Sequence, residues 1–470
     1  MDDPRSAEDL RAEIERLVRA HAARAHAASA PGGPPSGVFV PGKTPVPYAG
    51  RVFAGDEVAA AVRSALDFWL TLGPEGSAFE RELAAAVGAR HSVLVNSGSS
   101  ANLLAVSALK SPRLPAERRL RPGDEVITCA AGFPTTVAPI VQNGAVPVFI
   151  DCNPATGNAD CSALEEAYAP GRTKAVVLAH ALGNPFDLAA VAAFCRAHDL
   201  WLIEDNCDAL GSRYSMPGEA PRPTGSFGDL STQSFYPAHH ITTGEGGAVN
   251  IPRDLRFKAV LESLRDWGRD CWCASGQADT CGKRYAWKLG ELPEGYDHKY
   301  IYSHLGYNLK PLDLQAAIGR AQLERLPAFA EARRRNWRRL RTGLESLSGH
   351  FEFMEATPGG DPSWFGFMLL VRAGAPFTAV ELSRHLDLRK IGNRRLFGGN
   401  LVRQPAFVQL RRDNPGAFRC VGDLAGADRV MRSALFVGVY PGLTAEMLDY
   451  VIAVIGDFCR APARRRSTTP

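Results

Sequence analysis

Short apolar runs alternate with helix-length amphipathic stretches over the first half of the chain. Five of the runs have the length of buried β-strands, and apolar residues recur at helical spacing in the segments between most of them. This alternation predicts a mostly parallel sheet covered by helices, an α/β fold. The predicted strands are Ser92–Val95, Glu125–Thr128, Val146–Ile150, Ala175–Ala179 and Trp201–Ile203; the predicted helices are Ser100–Leu109, Thr135–Asn143, Cys161–Tyr168 and Leu188–His198.

The flanking segments have different patterns. Residues 6–28 are polar and Ala-rich with helical spacing, and Ala30–Pro47 is rich in Pro and Gly, which predicts an extended arm. The stretch Trp267–Ser303 is polar and long for a structureless loop, and such loops are usually functional or disordered. We expect an N-terminal helix and arm (1–50), a large domain (51–320) that carries the loop at 267–303, and a smaller α+β C-terminal domain (321–470).

Composition and charge exclude several classes of protein. The 470 residues are 45% hydrophobic and 22% charged, and the net charge of +4 gives no argument for binding nucleic acid or membranes. The N-terminal segment is acidic without an apolar core, so we do not expect it to act as a signal peptide. No apolar run reaches the roughly 18–20 residues of a membrane span. We therefore expect a cytoplasmic protein, in which the ten cysteines stay reduced and serve some purpose other than disulfides.

Residues directly after the predicted strands are the first candidates for a ligand site, because ligands bind at the carboxyl ends of strands in open α/β sheets. Asn96–Asn102 follows the first strand and opens a helix, where small residues let backbone N–H groups approach a phosphate. Asp205 follows the fifth strand, where a carboxylate can pair with a pyridinium nitrogen. Taken alone, each segment is more often only a cap or a turn.

Two further segments favour a ligand site over a simple cap or turn. They are Gln233–Gly247, which contains Ser-Phe-Tyr-Pro-Ala-His, and Leu305–Lys310, which contains Gly-Tyr-Asn. In this order and spacing the four segments resemble the sugar aminotransferase family known as the DegT/DnrJ/EryC1/StrS group, from about Gly50 to the C-terminus. The resemblance implies the fold of the fold-type I pyridoxal-phosphate transferases (aspartate aminotransferase-like) and a homodimer.

The resemblance also implies positions around the cofactor. It places three small residues at the phosphate, an aromatic ring on the pyridine, a carboxylate at the ring nitrogen and an amide that reaches the phosphate of the neighbouring subunit. Gly98, Ser99 and Ser234 are implied at the phosphate, and Phe133 is implied on the ring. Asp205 is implied at the ring nitrogen, and Asn308 at the phosphate of the neighbouring subunit.

At His239 the chain departs from the family pattern, and this departure changes the reaction that we expect. The family pattern has a lysine there, and lysine is needed as the primary amine that attaches the cofactor covalently. An imidazole cannot do this, so transamination is disfavoured, but a histidine can act as a general base near neutral pH. We interpret the adjacent His240 as a neighbour without a catalytic role. Tyr236 and Asp208 are helpers by motif position.

The same substitution occurs in a branch of the family, the 3-dehydrases of 4-keto-6-deoxyhexoses, which hold pyridoxamine 5'-phosphate (PMP) without a covalent bond. One sub-branch also carries an iron–sulfur cluster. Here Cys271, Cys273 and Cys281 form C-x-C-x7-C, and Cys207 precedes them by a longer spacer than in CDP-4-keto-6-deoxyglucose 3-dehydrase, which the set resembles. Four thiolates suit a [2Fe–2S] centre, and zinc is the alternative. We interpret the remaining six cysteines as small apolar residues.

The resemblance therefore implies reductive removal of the C3 hydroxyl of an NDP-4-keto-6-deoxyhexose. His239 acts as the base, PMP and the cluster are the cofactors, and a separate reductase (flavin/iron–sulfur, or a ferredoxin or flavodoxin system) supplies electrons. The substrate is either dTDP-4-keto-2,6-dideoxyglucose or CDP-4-keto-6-deoxyglucose, with Arg403 facing the nucleotide diphosphate or simply exposed.

Three other functions remain open from the sequence. A PMP-only dehydratase would contain no iron. A sugar aminotransferase would need covalent attachment of pyridoxal phosphate. A non-catalytic homologue would turn over no sugar.

Overall fold

A computed structural model describes residues 5–26, 38–271, 273 and 277–461, so part of the predicted arm and Trp272 lie outside the described residues. The helices are α1 Ala7–Ala25, α2 Gly55–Asp67, α3 Pro74–Ala86, α4 Gly98–Ala108, α5 Pro134–Gln142, α6 Leu164–Ala167, α7 Leu188–Ala197, α8 Arg256–Arg265, α9 Asp313–Glu324, α10 Leu326–Gly343, α11 Ala379–Leu388, α12 Pro405–Asp413, α13 Ala425–Ser433 and α14 Ala445–Arg460. Among these described residues, no helix is both long enough and apolar enough to cross a membrane.

The strands are distributed over three sheets. They are β1 His91–Val95, β2 Glu125–Cys129, β3 Val146–Ile150, β4 Thr173–Ala179, β5 Trp201–Asp205, β6 Arg213–Tyr214, β7 Arg222–Pro223, β8 Leu230–Ser234, β9 Gly247–Ile251, β10 Phe351–Phe353, β11 Gly360–Asp361, β12 Gly366–Val371, β13 Asn393–Arg395, β14 Arg419–Cys420 and β15 Ala434–Gly438.

The central sheet has the order β1-β9-β8-β5-β4-β2-β3-β14 within the described residues. Every neighbouring pair from β8 to β14 is parallel, and β9 runs antiparallel between β1 and β8. The mostly parallel sheet expected from the apolar runs is thus confirmed. Its inner strands are buried on both faces, which explains their continuous apolar character.

The five predicted strands coincide with β1 to β5 to within two residues at each end. The predicted N-terminal helix is also present as α1, with Ser6 as its cap. Two central strands, β8 and β9, were not predicted, because Leu230–Ser234 and Gly247–Ile251 each mix polar and small residues with the apolar ones. They matter because the segment that carries His239 connects them.

The C-terminal part forms a second, antiparallel sheet in the order β10-β12-β15-β13, packed with α10, α11 and α14. Its α+β character agrees with the expectation for this part of the chain. One strand from it, β14, pairs instead with β3 at the edge of the central sheet. The domain boundaries themselves stay predictions.

The stretch at 267–303 contains, among its described residues, a single short 3-10 helix at His298–Tyr300 as regular structure. Two isolated bridges close its base, Asp266 with Asn308 and Arg269 with Tyr302. This stretch therefore forms a long loop between α8 and α9, called the excursion below.

Candidate active site

A cavity of about 520 Å³ opens where the central strands end. Its walls come from the ends of β2, β4, β5 and β8, the start of α4 and the hairpin around β13. This is the edge at which α/β sheets bind ligands, and the volume is in the range of cofactor and substrate sites. The residues Gly98, Ser99, Phe133, Asp205, Cys207, Asp208, Ser234, Tyr236 and His239 all line it.

The N-terminus of α4 forms the phosphate end of this cavity. Ser97 caps the helix and accepts a hydrogen bond from the backbone N–H of Ser100. A side chain at Gly98 would collide with Ser234, since its Cβ would lie 2.4 Å from the Ser234 Cβ. Glycine is required there so that β8 can bring its serine against the helix terminus, which leaves backbone N–H groups and hydroxyls for an anion.

Asp205 lies at the other end of the expected cofactor position. It is 6% exposed at the end of β5, and its Oδ2 accepts hydrogen bonds from Asn102 Nδ2 at 2.9 Å and Thr136 Oγ1 at 2.6 Å. The donors fix the carboxylate in one orientation toward the cavity. A buried, fixed carboxylate of this kind suits a protonated ring nitrogen.

Phe133 is half exposed and forms a wall of the cavity between these two ends. It is the N-cap of α5, and the edge of its ring meets Phe397. An exposed phenyl ring beside a fixed carboxylate and a helix N-terminus fits a flat, phosphorylated pyridine. The described residues therefore fit the cofactor that the sequence predicts.

His239 faces this cavity from the turn that follows β8, where its backbone N–H bonds to the carbonyl of Tyr236. Its Nδ1 lies 3.3 Å from Asp208 Oδ1. Burial raises the pKa of the Asp208 carboxyl, although the neighbouring imidazole opposes this shift. A carboxylate on Nδ1 leaves Nε2 as the nitrogen that can take a proton from a ligand.

His240 is not among the residues that line the cavity. It is buried, its Nε2 lies 2.7 Å from the carbonyl oxygen of Ser363, and burial lowers its pKa well below the ordinary value. This agrees with the interpretation of His240 as a neighbour without a catalytic role.

Two predicted residues lie outside the cavity lining. Arg403 is exposed and pairs with Asp428 at 2.9 Å, and it is not among the residues that line the cavity. In this structure it therefore does not face the cavity, contrary to the first of the two expectations from the sequence. The cationic side chains that do line the cavity are Arg394 and Arg395. Asn308 is likewise not part of its own chain's lining, and its expected role at a neighbouring subunit stays a prediction.

Sequence reasoning missed two buried groups beside the site. Arg333 of α10 donates to the carbonyl of His239, and burial lowers its pKa to about 10. His180 lines the cavity and pairs with Glu204 at 3.0 Å, with both side chains fully buried. Arg333 stands in an Arg-rich helix and His180 follows an apolar strand, so neither had a distinguishing pattern.

The four cysteines of the predicted ligand set have different neighbours in the structure. Cys207 lines the cavity, and its backbone N–H bonds to Asp205; burial raises the pKa of its thiol well above the ordinary value. Cys271, Cys273 and Cys281 instead surround the imidazole of His298, with Sγ–N distances of 3.4 to 3.8 Å. Among the described residues, no hydrogen bond joins Cys207 to the other three cysteines, and the predicted four-cysteine set stays a prediction.

One thiol of the three-cysteine group (Cys271, Cys273 and Cys281) has a lowered pKa. Burial raises the pKa of the Cys273 thiol, but hydrogen bonds with Thr280 and His298 outweigh burial and lower it to about 6. Burial raises the pKa of the Cys271 thiol. Within the described part of the chain, Cys271, Cys273 and His298 are the one group of three or more such side chains whose ligand atoms all lie within 4.8 Å of one another. These donors fit zinc or an iron–sulfur centre.

The family model for the DegT/DnrJ/EryC1/StrS aminotransferase family matches residues 53–456. The chain belongs to this family. Among curated proteins it is 52% identical over 423 residues to the dTDP-4-dehydro-2,6-dideoxy-D-glucose 3-dehydratase of Saccharopolyspora spinosa, with 90% of this chain and 88% of that protein covered. It is 49% identical over 453 residues to the lipopolysaccharide biosynthesis protein RfbH of Salmonella typhimurium, with 96% and 99% covered.

Solved structures agree on the fold. The GDP-4-keto-6-deoxymannose-3-dehydratase ColD, crystallised as a mutant with bound GDP-perosamine, superposes with a TM-score of 0.75 at 26% identity, covering 87% of this chain and all of that one. The E. coli GDP-4-keto-6-deoxy-D-mannose-3-dehydratase with bound hydrated PLP gives 0.73 at 26% identity, covering 87% and 98%. The predicted fold-type I architecture is confirmed.

Proposed function

We propose that this protein is a PMP-dependent 3-dehydratase that removes the C3 hydroxyl of dTDP-4-keto-2,6-dideoxyglucose reductively. The observation that carries the proposal is His239: the cavity has an imidazole, with its Nδ1 3.3 Å from Asp208, at the position where the family has its lysine. The 52% identity to a protein named for this substrate supports the choice of sugar.

The bound cofactor would supply a primary amine for the C4 ketone and a ring that accepts electrons. Gly98, Ser99 and Ser234 would hold its phosphate at the N-terminus of α4, and Asp205 would keep its ring nitrogen protonated. Phe133 would stack on the ring. Together these residues would orient the cofactor without a covalent bond to the protein.

His239 moves the proton in this site. With the cofactor bound, His239 Nε2 would be the acceptor of the proton that leaves the cofactor–substrate adduct, and Asp208, 3.3 Å from Nδ1, would stabilise the resulting imidazolium. Arg333 holds the His239 backbone through its carbonyl and so fixes the position of the ring. Tyr236 is half exposed and lines the same cavity, where it would assist at the leaving hydroxyl.

The net reaction requires two electrons and two protons: the C3–O bond breaks, the oxygen leaves as water, and C3 gains hydrogen. We propose that a separate reductase delivers the electrons through a [2Fe–2S] centre at the three-cysteine group. We also propose a cytoplasmic homodimer in which Asn308 of one subunit serves the phosphate site of the other.

Anaerobic turnover tests this function directly. The protein is incubated with PMP, dTDP-4-keto-2,6-dideoxyglucose, ferredoxin, ferredoxin reductase and NADPH, and the nucleotide sugar is analysed by mass spectrometry. We expect a product that has lost one oxygen atom, formed only when the reductase is present. Equal conversion without reductase would mean a PMP-only dehydratase, and no conversion of this sugar or of CDP-4-keto-6-deoxyglucose would contradict the proposal.

His239→Asn sharpens the assignment of the base. Removing a general base lowers kcat by roughly 10²- to 10⁴-fold, while PMP, held by other residues, stays bound. Rapid-quench turnover and the absorbance of bound PMP measure the two effects. His350→Gln, at a histidine outside the cavity, is the control, and retained turnover in His239→Asn would mean that another group is the base.

A further inference from the structure

The N-terminal arm contributes a side chain to the cavity. Tyr48 stands at the end of the arm, before residue 53, where the family match begins, and it lines the cavity. We propose that Tyr48 is a positioning residue, which holds the guanidinium of Arg394 in place for the diphosphate of the nucleotide sugar. The kind of ligand rests on the proposed function, whereas the placement of the two side chains rests on contacts within this chain.

Backbone hydrogen bonds fix the arm against the C-terminal sheet. The N–H of Val46 donates to the carbonyl of Lys390, and the N–H of Gly392 donates to the carbonyl of Val46, each at 2.8 Å. The side chain of Val46 is buried as well. Because these bonds lie two residues before Tyr48 and directly before β13, they determine where Tyr48 meets the sheet.

Two glycines let the arm pass close to this sheet. A Cβ at Gly392 would lie 2.8 Å from the backbone nitrogen of Tyr48, and a Cβ at Gly438, the last residue of β15, would lie 2.5 Å from its carbonyl oxygen. Both distances are shorter than Cβ atoms show in proteins, so a side chain at either position would displace the arm. The sequence therefore leaves room for Tyr48 at this point.

Tyr48 forms one wall of the cavity together with Arg394 and Phe436. Arg394 of β13 lies directly opposite Phe436 of β15 in an antiparallel pair, where side chains are close neighbours. The rings of Tyr48 and Phe436 meet edge to face at 6.0 Å, and the Arg394 guanidinium lies over the Tyr48 ring, 4.2 Å from its centre. All three side chains line the cavity.

The charge of Arg394 is available for an anionic ligand. Among the described residues, its guanidinium donates to the backbone carbonyl of Asn393 and to no carboxylate. Arg395, the other arginine of the lining, donates to the carbonyls of Met431 and Arg432 near the end of α13. Stacking on an aromatic ring uses the face of a guanidinium and leaves N–H groups at its edge, which can bind phosphate oxygens in pairs.

The contact with Tyr48 orders Arg394 before a ligand arrives. Arg394 is exposed, and an exposed arginine loses side-chain freedom when it binds a ligand. The cation–π contact restricts this freedom in the free protein already. Tyr48 therefore acts on substrate binding through Arg394, and we expect it to affect KM rather than kcat.

Nucleotide binding to the full-length protein loaded with PMP tests this assignment. dTDP and CDP are titrated calorimetrically into wild type, Tyr48→Leu, Tyr48→Phe, Arg394→Ala and the double variant Tyr48→Leu/Arg394→Ala. Leucine keeps apolar packing on Phe436 but removes the aromatic face. Tyr285→Ala is the matched control, because Arg284 lies over that exposed ring outside the cavity lining. The absorbance of bound PMP reports that each variant is folded.

We expect Tyr48→Leu to weaken dTDP binding by about 3- to 30-fold, the range of a cation–π contact, and Tyr48→Phe to stay within about twofold because a phenyl ring keeps the stack. The double variant should bind no more weakly than Arg394→Ala, since the two residues act as a unit. In turnover, Tyr48→Leu should raise KM by a similar factor with kcat little changed, and Tyr285→Ala should bind dTDP like the wild type.

Unchanged dTDP binding in Tyr48→Leu, an equal loss in Tyr48→Phe, or losses that add up in the double variant would overturn the assignment. Loss of PMP from Tyr48→Leu would overturn it too, because the arm would then support the whole cavity. The proposed function fails in a different way. Tighter binding of CDP than of dTDP by the wild type would contradict the proposed nucleotide, while the effect of Tyr48 on the diphosphate would persist with CDP.

Discussion

The cofactor cavity and the three-cysteine group are held in place by different kinds of contact. The cavity is built on the ends of central strands, and its polar groups are fixed by buried hydrogen bonds such as those from Asn102 and Thr136 to Asp205. The three-cysteine group lies in a long excursion between α8 and α9 whose one regular element, among its described residues, spans three residues. Its side chains are organised mainly around the imidazole of His298.

The two sites depend on the rest of the chain in different ways. A site on strand ends is formed when the sheet forms, before any ligand binds. A site in an irregular excursion gains much of its order from the ligand, because metal binding free energy is also folding free energy for such a segment. We therefore expect the two sites to fail independently.

Cys273→Ser is expected to have the largest effect, a near-complete loss of metal, since a serine hydroxyl replaces a thiol whose pKa is lowered to about 6. The excursion should then become sensitive to limited proteolysis, while PMP binding persists. Metal analysis and PMP absorbance measure the two sites, with Cys420→Ser, at an exposed cysteine, as the control. Concurrent loss of PMP would show that the sites are not independent.

Glu204→Gln tests how far buried contacts beneath the cofactor cavity stabilise the protein. The carboxylate accepts from His180 and from the backbone N–H groups of Gly225, Phe227 and Gly228 beneath the cavity. Removing one partner of a buried pair costs about 3–5 kcal/mol, so urea unfolding should shift strongly. Glu165→Gln, at the exposed pair with His198, is the matched control and should change stability by less than about 1 kcal/mol.

The same variant carries a pH dependence. Burial pushes the pKa of Glu204 up, but His180 and the backbone donors outweigh it and the net pKa is lowered. Stability from this carboxylate is therefore present above the unfolded pKa of about 4.3 and is lost as the pH falls through the lower folded value. The difference in unfolding free energy between wild type and Glu204→Gln should shrink below that pH; a constant difference would contradict the shift.

Arg394→Ala is expected to have a smaller effect, on substrate binding alone. Arg394 lines the cavity with its guanidinium 4.2 Å from the centre of the Tyr48 ring, where it can meet a nucleotide diphosphate. Loss of one such charged hydrogen bond raises KM by about 10- to 100-fold, with kcat little changed. Arg403→Ala should leave KM within about twofold of the wild-type value because Arg403 faces Asp428. A larger rise in KM for Arg403→Ala than for Arg394→Ala would support the expectation from the sequence that Arg403 faces the nucleotide diphosphate.

The cofactor site could be predicted because each of its residues follows a strand. Gly98, Asp205 and Ser234 stand at positions that the α/β pattern or the family motif identifies before any coordinates exist. Arg403 could not be placed in this way, since it ends a three-residue 3-10 helix, where no periodicity indicates the direction of a side chain.

His298 was missed for a related reason. It stands 17 residues after Cys281 in a segment without helical or strand periodicity, so no spacing rule connects it to the cysteines. The cap at Asp297, the ion pair between Asp297 and Arg284, and the backbone hydrogen bond from His298 to the Arg284 carbonyl position it among the thiols. Arg333 was missed because a buried arginine in an Arg-rich helix has the same local pattern as its exposed neighbours.

We propose that cofactor chemistry at His239 depends on electrons delivered from the three-cysteine group. Iron, acid-labile sulfide and zinc are to be measured in the anaerobically purified wild-type protein, together with its visible spectrum. We expect about two irons and two sulfides per chain and the absorbance of a [2Fe–2S] centre. One zinc per chain without iron would rule out this path of electron delivery.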